Sequence, residues 1–401
     1  MKQSRGFAYL TLADFIVRAA YQMGKTPLLP IFAATLGATD AYLGFIVSIS
    51  TLTGMVLKPL IGLLSDRWGR LGWLIVGTIF FTTIPFVYRF VSTPEQLVFV
   101  RIIHGLSTAI YGPVTLAYIA EQSSQNQAER LGWFGMARSA GSVVGPAAAG
   151  WLLLTMEPVL VFTVIGMMSS LAFLPILLLP KPTHVPKAAK LPLKQHMRQA
   201  VQSWAQTPAV WLSGGLESAM YVATYAVRAF LPIYALSLGV NVALVGAFFA
   251  LQEIVHMVTK PMGGRLGDRF GYLQTIALGL LGLGIALPLL TYTYHNFLFA
   301  TAAILIGLAQ ALITSSAVAL VAITVPEANM GASLGFIGTM KNGGKVIGPI
   351  LAGGLIYWLD FRLTFQLMSI IIIIGAVGIW VYTTFQPKSG RRTPRHQAHL
   401  S

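Results

Sequence analysis

Three carboxylates lie inside long apolar stretches of the chain: Asp14, Glu217 and Glu253. An ionised side chain at the middle of a bilayer costs about 2.5–3.5 kcal/mol on insertion scales, so such residues line a cavity or pair with one another. Burial favours the neutral form of a carboxyl group and a nearby cation favours the charged form, so a moving cation can load and unload a proton. Asp14 and Glu217 are therefore the first candidates for proton coupling, followed by Glu253 and the imidazole of His256.

Basic and aromatic side chains in the same stretches outnumber these acids. Nine bases stand against the three acids, which predicts a cavity of positive potential. Such a cavity suits an organic anion, a phosphorylated species or a lipid headgroup, while the tyrosines suit an amphipathic compound equally well. Lys58 and Lys260 lie near helix ends, so we expect their ammonium groups to reach the membrane surface. The candidates for the substrate cavity are Arg18, Tyr21, Tyr111, Arg138, Tyr221, Tyr225, Arg228, Lys341 and Lys345.

Helical spacing indicates which of these groups share a face. Asp14 and Arg18 are one turn apart, so they could neutralise each other. A polar and aromatic stripe follows the spacing i, i+4, i+8 and i+11 from Glu217 to Arg228. A static ion pair that stabilises the helix bundle is the alternative interpretation of each buried carboxylate.

The whole chain is too apolar for a soluble globular protein. Of its 401 residues 55% are hydrophobic and 10% charged, and the mean hydropathy is +0.72, whereas soluble domains carry about 25% charged residues. A membrane-spanning helix takes about 20 mostly apolar residues. Apolar runs bounded by charges, Pro or Gly predict twelve spans, near residues 8–34, 40–64, 71–91, 96–120, 131–156, 158–180, 209–236, 242–264, 272–293, 296–322, 331–357 and 363–385. We therefore expect an all-α membrane protein of twelve transmembrane helices.

The bases between the spans predict an orientation. With a cytoplasmic N-terminus, sixteen lysines and arginines of the loops and tails fall inside, and only Arg89 and Arg362 fall outside. The positive-inside rule thus predicts a multi-pass protein of the cell membrane with both termini cytoplasmic. These bases face anionic lipids, so the net charge of +15 does not require a nucleic acid partner. We expect a monomer that contacts membrane lipids and a small-molecule substrate, without cofactor or metal.

The two halves of the chain resemble each other. KPLIGLLSDRWGR (58–70) aligns with KPMGGRLGDRFGY (260–272) at an offset of 202 residues, and GSVVGPAAAG (141–150) aligns with GKVIGPILAG (344–353) at an offset of 203. The matches keep their order, so the halves are parallel repeats of six spans. The predicted domains are an N-terminal bundle over 1–180, a basic cytoplasmic linker over 181–207, a C-terminal bundle over 208–386 and a basic tail over 387–401.

These motifs resemble those of the major facilitator superfamily. GLLSDRWGR resembles the family's cytoplasmic loop signature, and RIIHG (101–105) resembles its R-x-x-x-G motif. GSVVGPAAAG resembles the glycine-proline motif of the antiporter branch, except that Ala149 stands where a glycine is usual. The resemblance implies two pseudo-symmetric six-helix bundles with a site between them at mid-depth. It also favours a coupling role for Arg101, which has no basic equivalent at Ala303.

The same resemblance suggests a latch and a packing motif. A carboxylate at Asp66 can sit at the positive end of a helix; the family implies the start of span 11, and pseudosymmetry places Asp268 near span 5. Such a latch would hold the halves together on the cytoplasmic side. The predicted latch residues are Gly62, Asp66, Arg67, Gly69, Arg70, Asp268 and Arg269. The residues predicted to pack helices closely between the halves are Gly141, Gly145, Pro146, Gly150, Gly344, Gly348 and Pro349.

The expected function is secondary active transport, as proton-coupled efflux (antiport) of a small amphipathic or organic anionic compound by alternating access. An uncoupled or symport carrier for sugars or organic anions, or a lipid flippase, is the alternative within transport. A membrane sensor that does not transport is a further alternative, against which the buried charges argue. We expect no enzyme activity, since the sequence has no P-loop, no H-E-x-x-H cluster and no G-x-S-x-G motif. Without a P-loop, the proton gradient rather than ATP is the expected energy source.

Overall fold

The structure is a computed structural model that describes residues 2–122, 127–180, 207–325 and 327–385. The side chains of residues 2–4, 63, 66, 120–122, 127–128, 327–329 and 332 are outside this description. The predicted linker 181–207, apart from Thr207, and the predicted tail 387–401 also lie outside it, so the domain boundaries stay predictions.

The described residues fold into α-helices and short 3-10 turns, with no strand among them. The helices of the first half are α1 Lys2–Lys25, α2 Leu28–Thr35, α3 Asp40–Trp68, α4 Arg70–Val87, α5 Pro94–Gln122, α6 Gln127–Leu152, α7 Pro158–Ser170 and α8 Phe173–Leu177. Those of the second half are α9 Pro208–Ser237, α10 Val242–Phe270, α11 Tyr272–Leu289, α12 Asn296–Thr324 and α13 Glu327–Phe385.

Each of the twelve predicted spans coincides with helical structure. The first span is divided into α1 and α2, and the sixth into α7 and α8. The last two spans form α13, whose helical conformation is interrupted at Asp360, where φ is 75°. The Oδ1 atom of Asp360 accepts a hydrogen bond of 2.8 Å from the backbone N–H of Leu363. This cap starts the second part of α13 and separates its two passes.

Nine of the described helices are long and apolar enough to cross a membrane. The apolar part of α13 has 53 residues, which is enough for two passes. α1 and α6, which carry Asp14, Arg18 and Arg138, are not among the nine. Large apolar side chains such as those of Trp358 and Ile371 are exposed. An exposed apolar surface of this kind is expected where helices face lipid rather than water.

The two halves meet at a few small residues. α3 packs against α13, and α6 packs against α10. A Cβ atom added to Gly150 of α6 would lie 2.9 Å from the Cα of Gly246 in α10. The hydroxyl of Ser48 in α3 donates a buried hydrogen bond of 2.7 Å to the carbonyl oxygen of Val346 in α13. Small residues thus bring the backbones of the halves together. This is expected in lipid, where helices associate through close packing because the hydrophobic effect does not drive them together.

These contacts lie towards one end of the bundle, at the turns around Gly37, Gly239 and Asp360, which we call the closed end. The other end, where Gly69 and Gly271 connect consecutive helices, is different. There, no atom lies within 4 Å of the Cβ position of Gly135 in α6 or of its repeat equivalent Gly338 in α13. The close backbone contacts between the halves thus lie towards the closed end, and around Gly135 and Gly338 the halves leave space at the open end.

The glycine-proline motifs lie only partly between the halves, in contrast to the prediction. The first two glycines of each motif pack on a neighbouring helix of their own half: Gly141 and Gly145 on α1, and Gly344 and Gly348 on α9. The proline and the residues after it face the other half, where Pro146 and Gly150 meet Gly246 and Pro349 meets Gly44. A helix with a small residue at each turn can pack on two different neighbouring helices along its length. The spacing of the glycines does not show which of them contacts which neighbour.

Candidate functional site

A cavity of about 320 Å³ lies between the two halves. Helices α1, α3, α4, α5 and α6 contribute its wall from one half, and α9 and α13 contribute from the other. Seven of the nine predicted cavity residues line it: Arg18, Tyr21, Tyr111, Arg138, Tyr225, Lys341 and Lys345. Arg228 and Tyr221 are not part of the wall, although the Lys345 Nζ atom lies 4.7 Å from the centroid of the Tyr221 ring.

Two further lysines, Lys25 and Lys58, line the cavity and are not among the predicted cavity residues. Lys58 faces the cavity, in contrast to the prediction that it reaches the membrane surface, and its Cε atom lies in van der Waals range of the Cβ position of Gly112, at 3.7 Å. Its repeat equivalent Lys260 is exposed. Lys25 is buried and follows Arg18 by seven residues. That spacing places both on one face of α1, so the helical period could have identified Lys25.

The charge of the cavity wall is strongly one-sided. One carboxylate, Asp14, faces six cations: Arg18, Lys25, Lys58, Arg138, Lys341 and Lys345. Ion pairs engage two of these cations, Arg138 with Asp14 and Lys341 with Glu217. Among the described residues, no carboxylate oxygen lies within ion-pair distance of the other four. Like charges gathered at low dielectric repel each other and attract an anion.

Asp14 is bound at both of its carboxylate oxygens. Arg138 donates from Nε to Oδ2 over 3.0 Å and from Nη2 to Oδ1 over 2.8 Å. Nη2 also lies 3.3 Å from the hydroxyl oxygen of Thr115. Asp14 is only 2% exposed. The expected partner within α1, Arg18, is not within ion-pair distance, because the guanidinium that α6 places opposite Asp14 offers two parallel donors.

Glu217 occupies the equivalent position in the second half, 203 residues later, and its partner Lys341 is the equivalent of Arg138. This pair is much looser: Nζ of Lys341 lies 3.5 Å from Oε1 of Glu217. The other oxygen, Oε2, has no hydrogen-bond partner among the described residues, although Glu217 is only 2% exposed. The side chain of Lys341 is 34% exposed. Glu217 is thus a buried carboxylate with half of its hydrogen-bonding capacity unused.

Glu253 lies between two basic groups outside the cavity wall. Arg228 Nη2 donates to its Oε2 atom over 3.3 Å, and His256 Nδ1 lies 3.5 Å from its Oε1 atom. The guanidinium of Arg228 also lies 5.4 Å from the centroid of the Tyr225 ring, which lines the cavity. Arg228 therefore connects Glu253 to the wall of the cavity.

Arg101 is buried in the first half, only 1% exposed, and donates to the hydroxyl of Ser50. No carboxylate within the described residues lies at ion-pair distance from it. Nearby, the Tyr88 hydroxyl and His104 Nδ1 share a hydrogen bond of 3.2 Å. The His104 ring packs edge-on against Tyr21 of the cavity wall at 5.4 Å. Arg101 therefore lies behind the wall rather than in it.

The latch residues lie at the open end. Gly69 and Gly271 have φ values of 89° and 103°, which only glycine adopts readily, so each loop signature turns on a glycine. Asp268 is exposed, and its Oδ1 atom accepts a hydrogen bond of 2.5 Å from the Tyr272 hydroxyl. The side chain of Asp66 lies outside the described residues. Gly62 has open space at its Cβ position, the exposed Arg67 and Arg269 flank the signatures, and Arg70 Nη1 donates to Ser65 over 3.0 Å. The latch stays a prediction.

Within the described part of the chain, no three His, Cys, Asp or Glu residues lie close enough to hold a metal ion. Two parallel repeats of six spans around a charged cavity define a multi-pass membrane protein with the architecture of a carrier.

Comparison with known proteins identifies the family. The sequence profile of the Major Facilitator Superfamily matches residues 10–223 and 215–401. The chain is 26% identical over 359 residues to an uncharacterised MFS-type transporter, MJ1560, of Methanocaldococcus jannaschii, covering 89% of this chain and 92% of that protein. It is 24% identical over 379 residues to the multidrug resistance protein MdtG of Escherichia coli, covering 92% of each. A single-residue mutant of the nucleoside transporter NupG superposes with a TM-score of 0.82 at 15% identity, covering 94% of this chain and 100% of that one.

The protein therefore belongs to the Major Facilitator Superfamily, and its fold is that of the superfamily. The expected fold class, an all-α membrane protein of two six-helix bundles, is confirmed. The protein is a membrane transporter.

Proposed function

We propose that this transporter is a proton-coupled carrier of small organic anions. The observation that carries the proposal is the set of four cavity cations without a carboxylate partner, Arg18, Lys25, Lys58 and Lys345. An anionic ligand offsets their mutual repulsion. The volume of about 320 Å³ lies at the small end of the range of ligand sites, roughly 300–1,000 Å³. A compound of metabolite size fits it better than a large drug.

Glu217 is the proton-binding group in this proposal. A buried carboxylate with one unpartnered oxygen gains more from protonation than one whose two oxygens are both bound. Asp14 has two charge-assisted hydrogen bonds from Arg138, so both of its oxygens are occupied. Glu217 has one ion-pair contact of 3.5 Å to a lysine that is partly exposed to the cavity.

The sign of the coupling follows from electrostatics. An anion in the cavity competes with Glu217 for Lys341, and a carboxylate that loses its cation binds a proton more readily. By linkage, the proton then raises the affinity for the anion to the same degree. Proton and anion therefore travel together, as in a symporter, and an inward proton gradient accumulates the anion inside.

Proton-coupled efflux, or antiport, is the second candidate. Multidrug resistance proteins such as MdtG among the relatives favour it, as does the glycine-proline motif in α6. The two modes differ in the charge that they move. Exchange of a monovalent anion for a proton carries two positive charges inward, worth about 4.6 kcal/mol at 100 mV because each contributes about 2.3 kcal/mol. Symport of the same anion with one proton moves no net charge.

The location in this proposal is the cell membrane, with both termini and the open end facing the cytoplasm. The positive-inside rule supports it, since Arg67, Arg70, Arg265 and Arg269 all lie in the loop signatures of the open end. The cavity of this structure is then accessible from the cytoplasm.

Flux measurements in proteoliposomes test the proposal. Vesicles with a pH-sensitive dye inside and a clamped membrane potential are given gradients of small mono- and dicarboxylates. Symport predicts acidification of the lumen during anion uptake, independent of voltage for a monovalent anion. Alkalinisation that depends on voltage supports antiport instead, and anion uptake without any pH change contradicts proton coupling.

Glu217→Gln and Asp14→Asn are matched variants, because they replace repeat-equivalent carboxylates by isosteric amides. We expect the first to move the anion without protons and the second to keep proton movement. Loss of coupling in Asp14→Asn alone contradicts the assignment of Glu217.

A further inference from the structure

Two lysines from opposite halves lie close to a single ring of the cavity wall. Nζ of Lys25, on α1, lies 4.7 Å from the centroid of the Tyr225 ring, and Nζ of Lys345, on α13, lies 5.4 Å from the same centroid. The two ammonium groups are therefore no farther apart than the sum of these distances. Neither has a carboxylate partner among the described residues.

Lys345 differs from Lys341, the other cation that the second half contributes to the wall, because it has no carboxylate partner among the described residues. Glu217 holds Lys341, and Arg228 is outside the wall and bound to Glu253. Within the described wall, Lys345 is thus the unpaired cation that the second half contributes, while the remaining unpaired cations, Arg18, Lys25 and Lys58, belong to the first half. A ligand that binds both halves through charge therefore meets Lys345 before it competes with Glu217 for Lys341.

We infer that the ligand of this cavity is a small organic dianion whose two acidic groups bridge Lys25 and Lys345. The inference rests on the proposed function and names its substrate class. A monoanion neutralises one ammonium group and leaves the other without a counterion at short range. A dianion gives each lysine a charge-assisted hydrogen bond and ties the two halves together.

Equilibrium binding to the full-length protein in detergent, measured by isothermal titration calorimetry, tests this inference. The probes are three matched pairs in which a methyl group replaces one carboxylate: succinate and butyrate, glutarate and valerate, and terephthalate and p-toluate. Because a charged hydrogen bond contributes about 1.5–3 kcal/mol, the dianion of at least one pair should bind at least about tenfold more tightly than its partner. Equal affinities, or no measurable dianion binding, in all three pairs overturn the inference.

Variants locate the two binding points. Lys25→Gln and Lys345→Gln should each weaken dianion binding about tenfold and bring the dianion preference close to one, while Lys345→Arg should retain it. Lys260→Gln, an exposed lysine outside the cavity, is the matched control and should change neither affinity. A preference that survives Lys345→Gln contradicts the bridge.

Two controls separate this inference from misfolding and from the proton-coupling proposal. Thermal unfolding without ligand should show that the lysine variants are at least as stable as the wild type, because each removes a repelling charge. Binding at equilibrium needs no proton gradient, so Glu217→Gln should keep the dianion preference even where it abolishes coupled flux. Loss of coupling without loss of this preference, or the reverse, shows which of the two proposals fails.

Discussion

Each half has an ion pair at the same position of the repeat, but the two pairs differ in geometry. Asp14 with Arg138 and Glu217 with Lys341 occupy equivalent positions, yet the first pair forms two hydrogen bonds of 3.0 and 2.8 Å and the second a single contact of 3.5 Å. The difference follows from the cations. A guanidinium is a planar fork that matches both oxygens of a carboxylate, whereas an ammonium is a single mobile charge. One repeat thus has a fixed pair and the other a pair that can exchange its partner.

A second difference accounts for one of the unpaired cations of the cavity. Lys25 and Arg228 are equivalents at an offset of 203, but Arg228 has the partner Glu253 and Lys25 has none. At the offset of 202 found for the loop signature, the first half has Thr51 where the second has Glu253. Thr51 lines the cavity. The first half thus has the cation without the acid, so the unpaired state of Lys25 has a specific origin in the sequence.

The largest expected effect is the loss of Arg138. Arg138→Met leaves Asp14 buried without a partner and should lower the free energy of unfolding by about 3–5 kcal/mol. Lys341→Met at the equivalent position should cost much less, because it removes a single contact of 3.5 Å to a partly exposed ammonium group. Thermal unfolding in detergent, followed by fluorescence, measures both.

The order of the two costs should be the same at pH 7.5 and at pH 5.5, because Arg138→Met removes two hydrogen bonds from Asp14 and Lys341→Met removes one contact of 3.5 Å from Glu217. Equal losses of stability in the two variants would show that the pairs are alike and would remove the basis for treating them differently.

A smaller effect is expected at the contact that closes one end. Gly150→Leu places a side chain against Gly246 and should cost the closed arrangement about 1–3 kcal/mol, roughly a 5- to 150-fold shift towards opening at that end. The chain has no cysteine, so a single cysteine at Thr51 of the cavity wall reports access without background. In whole cells, an external impermeant maleimide should label it faster in this variant.

Gly135→Leu is the matched control, because it lies on the same helix α6 and has open space at its Cβ position. We expect its labelling rate to equal that of the unsubstituted protein. Equal labelling in Gly150→Leu would show that the contact between Gly150 and Gly246 does not close this end.

Much of the architecture could be predicted from the sequence. Apolar runs located all twelve spans, the repeat paired the halves, and most of the predicted cavity residues line the cavity. The partner of Asp14 could not be predicted in this way, since Arg138 lies 124 residues away and meets it only because Gly141 and Gly145 let α6 pack closely on α1. The inward direction of Lys58 could not be predicted either, because its place near a helix end favours the membrane surface. Helical spacing relates residues within one helix and does not show which neighbouring helix they meet.

The sequence also does not predict which end of the bundle is open in this structure. Alternating access requires that one chain be compatible with closure at either end, so the sequence has to encode both sets of contacts. The loop signature predicted contacts at the end that is open in this structure, whereas the observed contacts lie at the other. Both can belong to the same transport cycle.

The most direct test of the account is the exchange of protons when an anion binds. The purified protein in weakly buffered detergent solution is titrated with succinate while an indicator reports the pH. The account predicts net proton uptake in the wild type and in Asp14→Asn, and no uptake in Glu217→Gln. Proton release by the wild type, or unchanged uptake in Glu217→Gln, would contradict it.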